Sequence, residues 1–362
     1  MQNYLRFRHT KTRIILLFCV ISLIASGCAP SDEKDDSSTP RYDEYSTYAF
    51  FGVDSRADGE EWKTDDSTGT QGAPSSDVIL ILSINEDTKN AKILSVYRDT
   101  MLDVAGDGSD LETCNTAFRN GGAYGAIDML EKNLDLHIDG YVTANFMVVA
   151  NAIDLIGGVT VDVEDEKTYK EVSEGLHLDT VVDTANTYID EMNIIYDKDT
   201  PYIEKPGKQK LTGLQAVAYS RVRYTEGSDR KRTERQRNVV LLMAQELRNS
   251  DAETQHSVLK EMYREVDTDL AENELMELFN LIIGYDIDNM GGFPFYMTSI
   301  IDNDKGTLLV PCDLESNVSE LHKYLYNSDT YVPSEVVTDY SKLITDETGM
   351  TKEDAKEGLT KF

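Results

Sequence analysis

SSDVILILSINEDTKNAKILSVYRDT, residues 75–100, decides the fold. Within it Asp77–Ile84 (DVILILSI) is a near-unbroken run of Val, Ile and Leu, the strongest strand signal in the chain. The polar stretch Asn85–Asn90 reads as a turn, and Ala91–Val96 as the returning partner of a hairpin. Working outward, Tyr48–Val53 is a second short apolar run, a buried strand that ends in Asp54. A Gly/Ser/Asp-rich loop, Ser55–Ser76, joins the two. Downstream, Gly121–Leu134 has helical spacing (Ala126, Met129, Leu130, Leu134) after a Gly-Gly start. Tyr141–Asn145 reads as a strand, Phe146–Ile156 as a buried helix closed by Gly157-Gly158, and Val159–Val163 as an alternating strand. Strands that alternate with helices predict an α/β protein.

The second half is more helical. Leu211–Arg223 and Arg232–Arg248 predict two helices around an exposed turn, Tyr224–Lys231, and Glu253–Arg264 and Leu270–Ile283 predict two more. Gly306–Pro311 reads as a late strand and Ser316–Tyr326 as a late helix. Residues 164–206 are polar and acidic. They read as an irregular insertion within one domain, residues 47–328, too poor in apolar residues for a core of their own. Residues 329–362 read as a polar tail.

The N-terminus carries Arg6, Arg8, Lys11 and Arg13 with no acid, then an apolar run from Ile14 to Ala25, then Ser26-Gly27-Cys28. That is a positive n-region, a short h-region and a small-residue cleavage site. Twelve residues fall short of the roughly 20 that span a bilayer. Ala-Ser-Gly-Cys resembles a bacterial lipobox, which makes Cys28 the candidate lipidation site of a signal peptide over residues 1–28; the alternative is a signal anchor from Ile14 to Pro30. Either places the rest of the chain outside the membrane. Residues 29–46 are acidic and Pro-containing and read as a disordered tether. An exported location permits a disulfide, but spacing does not say whether Cys114 and Cys312 pair or stay free. The five histidines lack zinc-ligand spacing.

The net charge is −31, and losing the four leader cations takes it to −35. Such acidity disfavours a nucleic-acid partner, which needs a basic face. The placement of the cations says more than their number. Six of the 15 Arg fall between Arg221 and Arg237, and none lies between Arg119 and Arg221.

Three features carry candidate chemistry. Asp54 and Asp77 stand at strand ends, where carboxylates in an α/β sheet project into a shared crevice. Two such oxygens suit Mg²⁺, although Asp also caps loops. Arg98-Asp99 follows a strand directly; it is either a simple ion pair or a guanidinium fork for a phosphate. In SRVRYTEGSDRKRTERQR, residues 220–237, seven cations face three acids. Arg232 and Arg235 share a helix face beside Gln236, and Arg221 and Arg223 approach from the preceding segment. Charge runs are usually solvated, but Arg rather than Lys favours bidentate anion recognition. No Walker loop, GxSxG, HExxH or dinucleotide fingerprint is present.

FFGVDSR (50–56), SSDVILILSI (75–84), ILSVYRDT (93–100), NTAFRNGG (115–122), IDLIGGVTVDV (153–163), GKQKLTGLQAVAYSRVRY (207–224) and RTERQR (232–237) occur in one order. In that order they resemble the LytR-CpsA-Psr family of Gram-positive envelope proteins. The resemblance implies a three-layer α/β/α domain with a central mixed sheet. It also implies a long apolar pocket for a polyprenyl chain, with the pyrophosphate at its mouth. The implied activity is transfer of a glycan polymer, teichoic acid or capsular in type, from undecaprenyl pyrophosphate to a peptidoglycan hydroxyl. A pyrophosphatase side reaction follows if water replaces the acceptor. By resemblance Asp54 and Asp77 hold Mg²⁺, Arg98, Arg221, Arg223, Arg232, Arg235 and Gln236 bind the pyrophosphate, and Arg98 and Arg232 act in catalysis. Asp99 is the candidate base. Tyr97 replaces the usual Pro before RDT, and Thr113-Cys114 replaces a common Lys plus apolar pair. A lipobox departs from the transmembrane anchor of many relatives. The competing readings are a non-catalytic surface lipoprotein that binds anionic polymer or polyprenyl phosphate, and a transcriptional regulator, which the leader disfavours.

Overall fold

Strand β1 (Tyr45–Val53) and the hairpin β2 (Ser76–Asn85) and β3 (Asn90–Val96) lie side by side at the centre of the computed structural model. The structure describes residues 42–53, 74–172, 175–223, 225, 228–302 and 305–355. The leader, Cys28, the tether up to residue 41 and Asp54 with its loop lie outside the described residues. After β3 come β4 (Met101–Asp103), β5 (Leu111–Thr113), α1 (Thr116–Leu134), β6 (Gly140–Asn145), α2 (Phe146–Leu155) and β7 (Val159–Val163). Next are β8 (Lys167–Val172), β9 (Gly175–Thr180), α3 (Val181–Tyr196), β10 (Gly207–Leu211), α4 (Gly213–Ser220), α5 (Ser228–Asn249) and α6 (Ala252–Glu265). The chain then runs through β11 (Asp267–Thr268), α7 (Glu272–Gly284), β12 (Asp286–Phe293), β13 (Met297–Asp302), β14 (Gly306–Pro311), α8 (Leu314–Tyr326) and α9 (Glu335–Thr348).

The central sheet has the order β11-β6-β1-β2-β3-β12. β1 pairs parallel to β6 and β3 parallel to β12, while β1–β2, β2–β3 and β6–β11 are antiparallel, so the sheet is mixed. The apolar run of β2 lacks a polar face because both of its faces are covered. Ile79 and Ile81 join Phe51, Leu94 and Val96 against α1, α8 and α9. Leu80, Leu82 and Ile84 join Ile93 and Val142 against α2, α5, α6 and α7. This is the expected three-layer α/β/α arrangement, and each buried aliphatic adds about 1.5–3 kcal/mol.

A third cluster gathers α2, α3, α4 and the small β7–β10 sheet around Ile153, Val161, Ile189 and Val217. It corrects the reading of residues 164–206 as irregular. They form the β8–β9 hairpin and α3, which starts in a Thr180–Asp183 capping box and buries Val181, Val182, Ala185, Ile189 and Met192. α4 packs tightly on α2, and a Cβ added at Gly213 would lie 1.8 Å from the Ala150 carbonyl oxygen. Gly213→Ala should therefore destabilise the protein by about 1–3 kcal/mol or more, read as a lowered denaturation midpoint.

Other differences have physical causes. The helix over Gly121–Leu134 begins earlier, at Thr116, but its dihedrals break at the Gly-Gly pair, where Gly122 has φ 62°. The exposed turn expected over Tyr224–Lys231 is partly helix, since α5 starts at Ser228. β12 (DIDNMGGF) gives no strand signal of its own and forms by parallel pairing with β3. The expected tail contains α9, whose Val337, Tyr340 and Ile344 complete the first core.

Candidate functional site

Register brings the candidate residues to one edge of the sheet. Val53 pairs with Asn145, and Val96 with Phe293, so β1, β6, β3 and β12 all end there while β2 begins there. Val78 pairs with Gly52 and Ser76 with Val53, which leaves Asp77 as the extra residue of a β-bulge. Bulges re-aim side chains, and Asp77 meets Arg98 across the edge.

Arg98 and Asp99 sit on a loop whose backbone is held at every residue. The Tyr97 carbonyl accepts from Thr100 N–H, that of Arg98 from Asn115 N–H, that of Asp99 from Leu309 N–H, and that of Thr100 from Cys114 N–H. Cys114 Sγ also donates toward the Tyr97 and Arg98 carbonyls at 3.3 and 3.4 Å. Cys114 and Cys312 are both buried free thiols, so the open question of their pairing closes on that side. The Arg98 guanidinium bridges two carboxylates: Nη1 reaches Asp77 Oδ1, and Nε lies 3.3 Å from Asp99 Oδ1. Burial raises Asp99 above its ordinary carboxyl value; Arg98 and Arg223 oppose the rise and Asp77 adds to it. Asp77, Arg98, Asp99 and Arg223 thus form one electrostatic group.

The cation run of α5 is not a solvated face. Arg232, Arg235, Gln236 and Arg237 are buried, and only Glu234 and Asn238 among residues 232–239 are exposed. Arg235, at 1% exposure, is committed to protein acceptors. Its Nε donates to Glu164 at 3.1 and 3.3 Å, Nη1 to the Val222 carbonyl at 3.1 Å, and Nη2 to Thr225 Oγ1 at 3.4 Å. These bonds correct the expectation that Arg235 touches pyrophosphate directly. The Arg221 guanidinium lies between the rings of Phe146 (5.1 Å) and Tyr188 (4.7 Å), with Glu191 at 3.8 Å. Arg223 is half-buried on the Asp99 side.

Beside this edge a cavity of about 1260 Å³, counted with its open mouth, runs between the sheet and α5, α6 and α7. Its lining is apolar except for Asn145, Ser220 and Gln236. Asn145 ends β6, while Ser220 and Gln236 neighbour Arg221 and Arg235 in the chain, so the polar lining belongs to the charged edge. The other end reaches Ile287, which pairs with Ala91 and through it with Ile84. From Val78 to Ile84 along β2 is about 20 Å at ~3.3 Å per residue. Gln236 Oε1 is buried without a hydrogen-bond partner.

Sequence reasoning missed several groups. Arg237, buried, donates from Nη1 to Ser95 Oγ at 2.8 Å. Arg119 donates to Ser75 Oγ at 3.0 Å, two residues from Asp77. Glu164, the residue after β7, holds Arg235, and no local motif marks it. For Mg²⁺, no group of three or more His, Cys, Asp or Glu side chains is placed to hold a metal among the described residues. Asp77 and Asp99 do present hard carboxylate oxygens on either side of Arg98. Asp77 fits Mg²⁺ as one donor, since the ion takes one or two carboxylates and completes its shell with water and substrate phosphate; Asp54, its expected partner, lies outside the described residues.

The chain matches the LytR_cpsA_psr family over residues 25–305. It is 28% identical over 250 residues to a Halalkalibacterium halodurans protein named polyisoprenyl-teichoic acid–peptidoglycan teichoic acid transferase TagU, covering 68% of each chain. It is 30% identical over 167 residues to Bacillus subtilis TagV, which bears the same transferase name, covering 46% of this chain and 37% of that one. Among solved structures, the crystal structure of B. subtilis TagV superposes with a TM-score of 0.58 at 21% identity, over 81% of this chain and all of that one. TagT bound to LI-WTA gives 0.56 at 18%, over 79% and 90%. At these identities the structural likeness shows the fold.

Proposed function

The chain belongs to the LytR_cpsA_psr family, and we propose that it transfers a glycan polymer, teichoic acid or capsular in type, from an undecaprenyl-pyrophosphate carrier to a peptidoglycan hydroxyl. The observation that carries this reading is the pairing of a ~20 Å apolar channel with a charged sheet edge at its mouth. A long isoprenoid and a diphosphate need those two environments in that order. The transferase names of the relatives support the same reaction class. In this reading a lipidated Cys28, or the uncleaved signal anchor, holds the domain at the outer face of the membrane.

The acceptor oxygen attacks the phosphorus that bears the glycan. The bond from that phosphorus to the bridging oxygen breaks, and lipid monophosphate leaves with the electron pair. Asp99 takes the acceptor proton; a carboxyl raised by burial is a better base than an ordinary one. Arg98, Arg223 and Arg232 stabilise charge on the two phosphates, and Gln236 offers its amide at the channel mouth. Asp77, with Asp54, would hold Mg²⁺, which when bound neutralises diphosphate charge.

The test is turnover of a polyisoprenyl-diphosphate-linked glycan by the full chain with peptidoglycan fragments. A new phosphodiester that disappears with EDTA supports the reading. Binding without any phosphate transfer would leave a surface lipoprotein that binds anionic polymer. If Asp99 is the base, kcat/KM rises with pH through a pKa above the ordinary carboxyl value. Arg223→Ala removes a cation that favours the carboxylate, so the acid limb should move to higher pH in the pH–rate profile.

A further inference from the structure

The segment between β7 and β10 reaches into the site at three points. Glu164 accepts from Arg235 Nε at 3.1 Å and from Tyr219 O–H at 2.6 Å. Tyr188 and Glu191, on α3, flank the Arg221 guanidinium. The carbonyl that Arg235 Nη1 holds belongs to Val222, the residue between Arg221 and Arg223. Arg235 is buried by this packing and has a carboxylate, a carbonyl and a hydroxyl as acceptors, so it works on the chain rather than on a ligand.

We propose that Glu164 is a positioning residue of the site: it clamps Arg235, which pins the Val222 carbonyl and so fixes the turn that presents Arg221 and Arg223. This inference rests on the anion-binding reading of the preceding section for its consequence, but its geometry is independent of that reading. It gives the segment over residues 164–206 a task. The segment supplies the anion that lets a buried guanidinium act as a strut, and the aromatic face that holds Arg221. Tyr219 takes part by donating to Glu164 Oε2, one of the two oxygens that Arg235 Nε reaches, and so fixes the orientation of the carboxylate.

Calorimetric binding of geranylgeranyl diphosphate to the full chain tests it, with Glu164→Gln, Tyr219→Phe, Arg223→Ala and the double variant Glu164→Gln/Arg223→Ala. Glu164→Gln should weaken binding roughly 10- to 100-fold, the scale of a misplaced contact, and Tyr219→Phe should weaken it less. The double variant should lose less than the product of the two single losses, because part of the Glu164 effect passes through Arg223. A merely structural role would give independent, multiplicative losses, and that result overturns the proposal, as does wild-type affinity in Glu164→Gln. If the wild-type protein binds no diphosphate, the functional reading falls instead. The clamp is then judged on backbone amide exchange over Val222–Thr225 without ligand: faster exchange in both Glu164→Gln and Tyr219→Phe supports it, and unchanged exchange overturns it.

Discussion

Arg98→Ala should lower turnover of the polyisoprenyl-diphosphate substrate about 10³- to 10⁵-fold, the range seen when a transition-state arginine is removed from phosphoryl transfer. That corresponds to roughly 4–7 kcal/mol of transition-state stabilisation. The size follows from geometry. Arg98 is the one guanidinium that bridges Asp77 and Asp99 among the described ion pairs, and its loop is fixed by four backbone hydrogen bonds that do not involve its side chain. Removing the side chain therefore leaves the loop in place but takes the cation from between two carboxylates, which then repel. Asp99 would rise further and lose its orientation. Arg98→Lys should recover little, because an ammonium is a point charge and cannot span Asp77 and Asp99 as the planar guanidinium does. Single-turnover rates with substrate in excess over KM check this; rates within tenfold of wild type in Arg98→Ala would remove Arg98 from the reaction.

The parts of this site that could be read in sequence are those that local pattern encodes. An uninterrupted Val/Ile/Leu run in β2 can only be a strand covered on both faces, and the turn after it fixes β3 as its neighbour, which places Arg98-Asp99 at a sheet edge. The concentration of arginine over residues 221–237 signals a candidate anion-binding site for the same local reason. What sequence could not assign is which arginine faces the ligand. Arg235 and Arg232 have the same spacing signal, yet the partner that commits Arg235, Glu164, lies 71 residues away at the start of a polar stretch. A buried ion pair and a ligand-facing cation look alike until the tertiary partner is known. β12 was hidden for a related reason: its Asp, Asn and Gly have low strand propensity, and pairing with β3 decides its conformation. α9 differs, since its signal was present. Val337, Tyr340, Ser341 and Ile344 fall at i, i+3, i+4 and i+7 after the N-cap Ser334, but overall polarity outweighed the period.

That helix supplies the second large expectation. A chain ending at Ser328, the boundary that polarity alone suggests, should lose about 4.5–9 kcal/mol, from Val337, Tyr340 and Ile344 at ~1.5–3 kcal/mol each. This is a third or more of the ~5–15 kcal/mol that holds a domain folded, so the truncated chain should unfold at much lower denaturant or fail to fold. The polar contacts point the same way. Ser334 donates from its N–H and Oγ to Asp135 at 2.8 and 2.7 Å, Tyr331 O–H donates to the same carboxylate, and the Leu314 N–H that opens α8 donates to Ser341 Oγ at 3.1 Å. Tyr331 also stacks on the buried His322 ring at 3.7 Å. Without α9 and the segment leading to it, Asp135 keeps a buried carboxylate with three donors gone, and the α8 terminus loses an acceptor. Ile344→Ala, which deletes one side chain and keeps the helix, should cost about 2–5 kcal/mol. Urea denaturation followed by far-UV circular dichroism separates the outcomes: a tail would leave the midpoint unchanged on truncation, whereas a packed helix lowers it far more than Ile344→Ala does.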